Sequence, residues 1–367
     1  MAAKAGFARP LLLGIETSCD DTAGAVVDGA GRVLASVVSS QLAAHAPYGG
    51  VVPELAAREQ LSAWPQVSRA TLDRAGVSLA VIDAVAATSG PGLVGSLLVG
   101  LSAAKALAWS RSLPFFAVHH LEGHLFSPYL GVDGAAADEI PDEFVGLVVS
   151  GGHTSLYRVV GAGGGEGAIE TLAETRDDAL GETFDKLGKR LGLPYPQGPR
   201  VDELAELGRA QDSRLPRLVG TEELFFSFSG LKTQAVAGVE KLATLGVRTA
   251  PDASEIPFAQ PVLDLLAGFR DSAVRQILDR LTRLYRRAPF AELAVSGGAA
   301  ANRELRRRLP LWAEERDVRL RLVPLVYSGD NAAMIAFAAL ARWRHGATDD
   351  PLAIEAVSRS PIRTPSA

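Results

Sequence analysis

Two histidines, four residues apart, are the side chains in this 367-residue chain with the clearest potential for chemistry. His120 and His124 lie in the segment HHLEGH, and on a helix this spacing places both imidazoles on one face. Such a pair can share one metal ion, although ordinary surface or helix-capping histidines show the same spacing. Because the chain has only six histidines and His119 adjoins the pair, the sequence favours a metal site.

The same pair also suggests a zinc peptidase, in which a glutamate directly after the first histidine activates water. Here Leu121 follows His120, and Glu122 is one position further on. On a helix Glu122 would lie about 200° around the axis from His120. The sequence therefore disfavours a peptidase.

A carboxylate would complete a set of two histidines and one acid with open positions for substrate. Asp330 is the candidate, in the segment SGDN before a predicted helix. A helix N-cap uses the same residue type, so a metal ligand and a cap are both compatible with this position.

Glycine-rich turns after predicted strands are the candidate anion sites, because backbone N–H groups can approach a ligand closely there. The first is the turn VVSGGHT, whose candidates are Val148, Val149, Ser150, Gly151 and Gly152. The turn TSCDDT at residues 17–22 offers hydroxyls and carboxylates at the matching place in the first half. Each motif alone is weak, since such turns are mostly structural, but their equivalent placement favours a ligand.

Four further residues are weaker candidates. Asn302, which follows Ser-Gly-Gly, would hydrogen-bond an adenine or ribose, or simply start a helix. Gly198 and Asp202 follow the rigid turn Tyr195-Pro196, which would place a carboxylate near a ribose hydroxyl or form a plain loop. Asp185 lies on an amphipathic helix, whose charges usually face solvent.

Strands and helices alternate in two similar halves. A three-strand meander is predicted over residues 11–39 and recurs from Phe144. Helices are predicted at 53–75, 96–109, 178–191, 231–245, 262–287, 303–317 and 331–343 from their apolar period. The acidic segment 133–142 predicts a division into one lobe over 1–142, completed by 331–367, and a second over 143–330 with helical insertions. This is an α/β organisation with ligands expected at the strand ends.

Composition supports a soluble protein. Hydrophobic residues make up 47% and charged residues 22%, and no apolar run approaches the roughly 20 residues of a membrane span. A single cysteine fits a reducing compartment, and too few residues precede the first strand for a signal peptide, so a cytoplasmic location is expected. The net charge of −5 does not exclude local basic patches. Two arginine clusters, at 280–287 and 303–308, are candidate phosphate contacts or ordinary helix surface.

The motifs together resemble the bacterial TsaD-type tRNA N6-adenosine threonylcarbamoyltransferases, formerly called O-sialoglycoprotein endopeptidases. The matching segments run from residue 14 to residue 336 and are GIETSCDDT, HAPYGGVVPELAAREQ, TSGPGLVGSLLVG, HHLEGH, LVVSGGHTSL, DDALGETFDKLGKRLGLPYP, FSFSGLKT, SGGAAANRELR and SGDNAAMIA. The resemblance implies two duplicated actin-like or Hsp70-like ATPase lobes, of the ribonuclease H-like type, with an interlobe cleft.

The resemblance also implies an activity and the residues that serve it. The threonylcarbamoyl group would pass from threonylcarbamoyl-AMP to the exocyclic amine of the adenosine adjacent to the anticodon, in tRNAs reading codons that begin with adenosine, with release of AMP. His120, His124 and Asp330 would bind Fe²⁺ or Zn²⁺, and Asp20 matches a carboxylate implicated in activity. The adenylate, an ATP-like ligand in the cleft, would contact Val148 to Gly152, Asp185, Gly198, Asp202 and Asn302.

The implied partners are tRNA, a paralogous TsaB-type subunit and a TsaE-type ATPase, with no membrane. Two departures from the family pattern are visible: Ser328-Gly329 precedes Asp330 where Cys-Thr is usual, and Gln197 replaces a glycine. The first would loosen the Asp330 loop and the second would alter the adenylate pocket. A small-molecule kinase or ATPase of the same fold, and a non-catalytic paralogous lobe, are the alternatives.

Overall fold

The computed structural model describes residues 7–161, 168–213, 215, 223–251, 258–359 and 361–362. The outer ends of the predicted first lobe and most of the glycine-rich turn at 161–167 lie outside these residues. The chain divides into two compact units. The first consists of Met1–Gly146, Arg158–Glu170 and Arg321–Ala367, and the second of Leu147–Tyr157 and Thr171–Leu320.

The strands form two five-stranded sheets of matching order. The first sheet has the order β3-β2-β1-β4-β5 and contains β1 (Leu12–Glu16), β2 (Asp21–Val27), β3 (Val33–Ser40), β4 (Ala84–Gly90) and β5 (Phe115–His119). The second has the order β10-β9-β6-β7-β8 and contains β6 (Glu143–Val149), β7 (Thr154–Val160), β8 (Ala168–Glu174), β9 (Glu292–Ser296) and β10 (Arg319–Leu322). Read from β8 to β10, the second order repeats the first, which confirms the predicted duplication.

The helices follow the sequence prediction closely. They are α1 (Leu42–His45), α2 (Pro53–Ala75), α3 (Val94–Arg111), α4 (His120–Phe126), α5 (Leu180–Arg190), α6 (Gln197–Ala205), α7 (Ser229–Thr244), α8 (Gln260–Arg287), α9 (Arg303–Glu314) and α10 (Ala332–Trp343). The predicted helix at 53–75 has the observed bounds of α2, and the other six predicted helices differ by at most three residues at an end, as is usual for frayed helix termini. Helix α6 was not predicted: it carries Gly198 and Asp202, which the sequence analysis placed after a rigid turn or in a plain loop.

Strand β1 is buried along its whole length because helices cover both of its faces. Leu13 and Ile15 belong to an apolar cluster that includes Leu101 and Ala104 of α3. On the other face, a side chain at Gly14 would overlap the carbonyl oxygen of Ala332 at the start of α10. β1 lies in the middle of the sheet, antiparallel to β2 on one side and parallel to β4 on the other, and helices on both faces bury such a central strand from both sides.

Small residues bring α4 and α10 close together. A Cβ atom at Gly123 of α4 would lie 2.9 Å from Cδ1 of Ile335 in α10, so a larger residue would push the two helices apart. Glycine at 14 and at 123 therefore holds the first turn of α10 against both the central strand and the short helix α4.

Within the described part of the chain, no helix combines the length and the apolar character that crossing a membrane demands.

Candidate functional site

The structure brings His120, His124 and Asp330 together within the first unit. Their candidate ligand atoms all lie within 4.8 Å of one another. Oδ1 of Asp330 is 3.2 Å from Nε2 of His124 and 3.5 Å from Nε2 of His120. The two imidazoles meet edge to face, with ring centroids 4.7 Å apart. Residues separated by more than 200 positions thus converge on one point.

The spacing of these atoms fits a shared ion. Metal bonds to imidazole nitrogen and carboxylate oxygen are about 2.0–2.2 Å long, so ligand atoms at about 90–110° around one ion lie roughly 3.0–3.5 Å apart. The two nitrogen–oxygen distances match that range. Two imidazoles and one carboxylate are a donor set that suits iron or zinc.

The neighbouring residues that resemble ligands have other roles. The side chain of His119 accepts a hydrogen bond from the backbone N–H of Leu121 and caps α4. The N-cap of α10 is Asn331, whose Oδ1 accepts from the N–H of Met334 at 3.0 Å. Asp330 is therefore not the cap of this helix, and its carboxylate faces the histidines.

Hydrogen bonds hold the loop that carries Asp330. The side-chain amide of Asn331 donates to the carbonyl oxygens of Tyr327 and Gly329, at 3.1 and 2.9 Å. The hydroxyl of Ser328 donates to the carbonyl of Leu325 at 2.8 Å. The sequence predicted that Ser328-Gly329 would loosen this loop. Side-chain hydrogen bonds lie both before and after Asp330, and the loosening by Ser328-Gly329 stays a prediction.

The surroundings shift the pKa values of the two histidines in opposite directions. Burial lowers the pKa of His120, but the negative charges of Asp330 and Glu16 outweigh it and raise the pKa to about 9. Burial lowers the pKa of His124 below its usual value.

The sequence analysis missed Glu16, the last residue of β1. This side chain is 1% exposed, and its Oε2 atom lies 3.2 Å from Nδ1 of His120. The hydroxyl of Ser18 lies 3.1 Å from the same nitrogen. A carboxylate at the end of the apolar strand LLGIE was the available signal, because buried acids are rare without partners.

The turn after β1 and the start of β2 carry two further carboxylates, those of Asp20 and Asp21. Burial raises the pKa of the Cys19 thiol, and the charges of Asp20 and Asp330 raise it further. Burial also raises the pKa of Asp21 to about 7, with smaller contributions from Asp20 and Asp330. Asp20 itself is half-buried. Asp20 follows Ser18 by two residues in this turn, and the Ser18 hydroxyl lies 3.1 Å from Nδ1 of His120.

In the second unit, the turn after β6 lies against the start of α5. The N–H of Ser150 donates to the carbonyl of His153 at 2.8 Å, and the N–H of His153 donates to the Ser150 hydroxyl at 3.0 Å. The N–H of Gly181 donates to the carbonyl of Ser150. Side chains added at Gly151 and Gly152 would meet open space, so the backbone of this turn is accessible to a ligand.

The remaining predicted adenylate contacts form two pairs in the same unit. Oδ1 of Asp185 accepts from the N–H of Gly198 at 2.7 Å. Oδ1 of Asp202 accepts from the amide of Asn302 at 2.7 Å. Val149, the last residue of β6, lies against the turn after β9, because a Cβ atom at Gly297 would overlap the Val149 carbonyl oxygen. Gln197, which stands where the family usually has glycine, is buried and packs against Gly188.

Asp202 is also part of a buried ion pair. Its carboxylate accepts from Arg270 at 3.2 Å and from the N–H of Arg303 at 3.0 Å, and both Asp202 and Arg270 are less than 10% exposed. We expect Asp202→Ala to lower the free energy of unfolding by about 2 kcal/mol, because the amide of Asn302 and the N–H of Arg303 lose their acceptor while Arg270 keeps its ion pair with Glu206. Urea denaturation measures this change.

The matched control is Asp271→Ala, which removes partly exposed ion pairs to Arg275 and Arg308. Its effect should stay below about 1 kcal/mol. Equal losses in the two variants would contradict a structural role for the Asp202 pair.

The predicted arginine clusters are only partly available to phosphates. Arg280 is fully buried, and its Nε donates to the carbonyl of Phe225. The prediction that Arg280 contacts phosphates is therefore wrong. Arg307 and Arg308 pair with acidic side chains. Charges already neutralised by carboxylates attract an RNA backbone weakly, which reduces the case for these clusters.

Comparison with known proteins identifies the class and then the family. The structure is similar to HypF of T. kodakarensis, with a TM-score of 0.59 and 14% identity over 92% of this chain and 48% of that one. The two sheets, with helices covering them, are an α/β arrangement of the actin-like ATPase fold, here with a candidate metal site. The family model for TsaD, tRNA N6-adenosine threonylcarbamoyltransferase, matches residues 32–337. The chain belongs to this family and is an acyltransferase enzyme.

Relatives support the assignment along nearly the whole chain. The tRNA N6-adenosine threonylcarbamoyltransferase of Syntrophobacter fumaroxidans is 45% identical over 351 residues, which are 95% of this chain and 99% of that protein. The enzyme of the same name from Sorangium cellulosum is 45% identical and covers 92% of this chain and 93% of its own length.

Proposed function

We propose that this enzyme transfers a threonylcarbamoyl group from threonylcarbamoyl-AMP to the exocyclic amine of the adenosine adjacent to the anticodon. The tRNAs would be those reading codons that begin with adenosine, and AMP would be released. The observation that carries the proposal is the cluster of His120, His124 and Asp330 in a chain of the TsaD family.

In the proposed site His120, His124 and Asp330 bind one Fe²⁺ or Zn²⁺ ion. When bound, the ion supplies positive charge and open positions for the threonyl part of the substrate. The exposed backbone of Gly151 and Gly152 suits the phosphate of the adenylate, since N–H groups in such turns stabilise an anionic leaving group.

The protein groups needed for the transfer are a base and an anion site. The amine nitrogen attacks the carbamoyl carbon, the bond from that carbon to the AMP phosphate oxygen breaks, and AMP leaves with the bonding electrons. The amine loses one proton in this exchange. Asp20 is the carboxylate we assign to accept it, since an adenosine amine is a weak nucleophile and general-base assistance contributes roughly 10²–10⁴-fold.

The proposal includes partners and a location. It takes tRNA as substrate, with a TsaB-type paralogous subunit and a TsaE-type ATPase as partners, and it places the enzyme in the cytoplasm. The family membership supports these assignments. The exposed arginines at the end of α8, Arg286 and Arg287, are candidates for the tRNA backbone.

One other activity is compatible with the fold, and a second lacks a residue that it needs. A small-molecule kinase or ATPase would use the same fold and would turn over ATP without tRNA. A metallopeptidase would need a water-activating glutamate directly after the first metal histidine, and Leu121 occupies that position.

The test supplies threonylcarbamoyl-AMP, unmodified tRNA and the purified partner proteins, and detects the modified nucleoside by mass spectrometry. We expect one threonylcarbamoyl group on the adenosine next to the anticodon and one AMP per transfer. ATP hydrolysis by this chain alone, with no modified nucleoside, would favour the kinase or ATPase alternative instead.

A further inference from the structure

We propose that Glu16 is a positioning residue for the metal centre, which fixes the tautomer and the ring orientation of His120. The inference rests on the proposed metal dependence and assigns a role to a residue outside the ligand set. It starts from the contact between Oε2 of Glu16 and Nδ1 of His120, at 3.2 Å.

The contact defines which nitrogen of His120 keeps its proton when a cation binds. An ionised carboxylate only accepts hydrogen bonds, so Nδ1 donates to Glu16. Nε2 is the nitrogen that faces Oδ1 of Asp330, and it is the one that exchanges its proton for a cation. A metal ligand requires the lone pair that this exchange exposes. The Glu16 contact therefore prepares His120 to bind a cation through Nε2.

Glu16 is itself held by its neighbours. Oε1 accepts from the backbone N–H of Ser18, and Oε2 accepts from the hydroxyl of Thr88. Glu16 ends β1, and Thr88 lies on the neighbouring parallel strand β4. Groups on adjacent strands of a buried sheet are placed more rigidly than groups on loops, so the sheet fixes the carboxylate and the carboxylate fixes the imidazole.

The second metal histidine lacks such a carboxylate. Among the described residues, Nδ1 of His124 is buried with no hydrogen-bond partner. The pair is thus asymmetric: a carboxylate outside the ligand set contacts Nδ1 of His120, whereas the hydrogen bond of the His124 ring is to Asp330, which is itself a candidate ligand. Because outer carboxylate partners of metal histidines typically change metal affinity about 10–100-fold, Glu16 is the residue outside the ligand set with the largest expected effect on affinity.

Ser18 is the competing explanation, because its hydroxyl lies 3.1 Å from the same nitrogen. A hydroxyl can donate or accept, so it does not impose a tautomer by itself. We therefore expect Ser18→Ala to change metal affinity by less than about threefold, well below the range for a lost carboxylate partner.

The test measures the dissociation constant for Zn²⁺ by competition with a chromophoric chelator, using the full chain. Glu16→Gln should bind Zn²⁺ about 10–100-fold more weakly than the wild type. The matched control is Asp28→Asn, a change at another fully buried carboxylate of the same unit, which accepts from backbone N–H groups of the turn after β2. Asp28→Asn should lower the melting temperature without weakening Zn²⁺ binding.

The outcomes separate this inference from the proposed function. An unchanged Zn²⁺ affinity in Glu16→Gln, with lost affinity in His124→Ala, would overturn the role of Glu16 and leave the metal centre intact. Unchanged affinity in both variants would defeat the metal centre itself. Should Glu16→Gln fail to fold, nitrogen-15 NMR of the zinc-loaded wild type decides: we expect a proton on Nδ1 of His120, and an unprotonated Nδ1 would contradict the proposal.

Discussion

Replacing His124 with alanine should remove the bound metal and the transferase activity together. His124 is fully buried, and its Nε2 lies 3.2 Å from Oδ1 of Asp330, so alanine removes one of three protein ligands. We expect Zn²⁺ affinity to fall by more than the roughly 100-fold that marks the loss of an outer partner. Metal content after dialysis and the yield of modified nucleoside measure the two effects on one preparation.

The control for this variant is His45→Ala. His45 is equally buried, but its nitrogens contact the side chain of Gln41 and the N–H of Val52, away from the cluster. It should lose stability, through a buried cavity and unpaired groups, while keeping its metal. Full metal occupancy in His124→Ala, or equal metal loss in both variants, would contradict the assignment of His124 as a ligand.

The metal cluster was predictable to different degrees for its different members. The spacing of His120 and His124 predicts a shared face from helix geometry alone. Asp330 is more than 200 residues away, and the sequence left it equally compatible with a helix cap. Only the fold decides between these roles, because Asn331 provides the cap and the packing of α10 against Gly14 and Gly123 brings Asp330 to the histidines.

The partners of Glu16 could not be predicted from local sequence patterns. Its contacts are with Ser18, two residues away, and with Thr88 and His120, which are 72 and 104 residues away. Spacing on one element cannot encode such contacts, because they depend on the order of strands in the sheet. The strand itself was predictable from its apolar residues, but the partner of its buried acid was not.

Charge clusters were the least reliable signal. The arginines of α8 and α9 are clustered along the sequence, but the acids that pair with Arg307 and Arg308 include Glu206, just after α6, and Asp271 on α8. The sequence also gives no sign that Asp202 and Asn302, which are 100 positions apart, hydrogen-bond each other. Side-chain pairing across helices requires the tertiary structure.

Replacing Asp20 with asparagine should slow the transfer step while leaving the metal in place. Asp20 lies in the turn between β1 and β2, two residues after Ser18, whose hydroxyl is 3.1 Å from Nδ1 of His120, and it is not among the three candidate ligands. Asparagine keeps the shape of the side chain and cannot accept a proton from the attacking amine. With tRNA and threonylcarbamoyl-AMP saturating, we expect single-turnover transfer to fall roughly 10²–10⁴-fold.

The neighbouring carboxylate is the matched control for this prediction. Asp21→Asn changes the same functional group one position along the chain, at the first residue of β2. Burial of the Asp21 carboxyl group raises its pKa to about 7. If Asp20 is the base, the loss in Asp20→Asn exceeds that in Asp21→Asn, and both variants retain Zn²⁺. Near-normal transfer by Asp20→Asn would show that the proton goes elsewhere. A larger loss in Asp21→Asn would instead point to Asp21, since a base whose pKa lies near the working pH is the more effective catalyst.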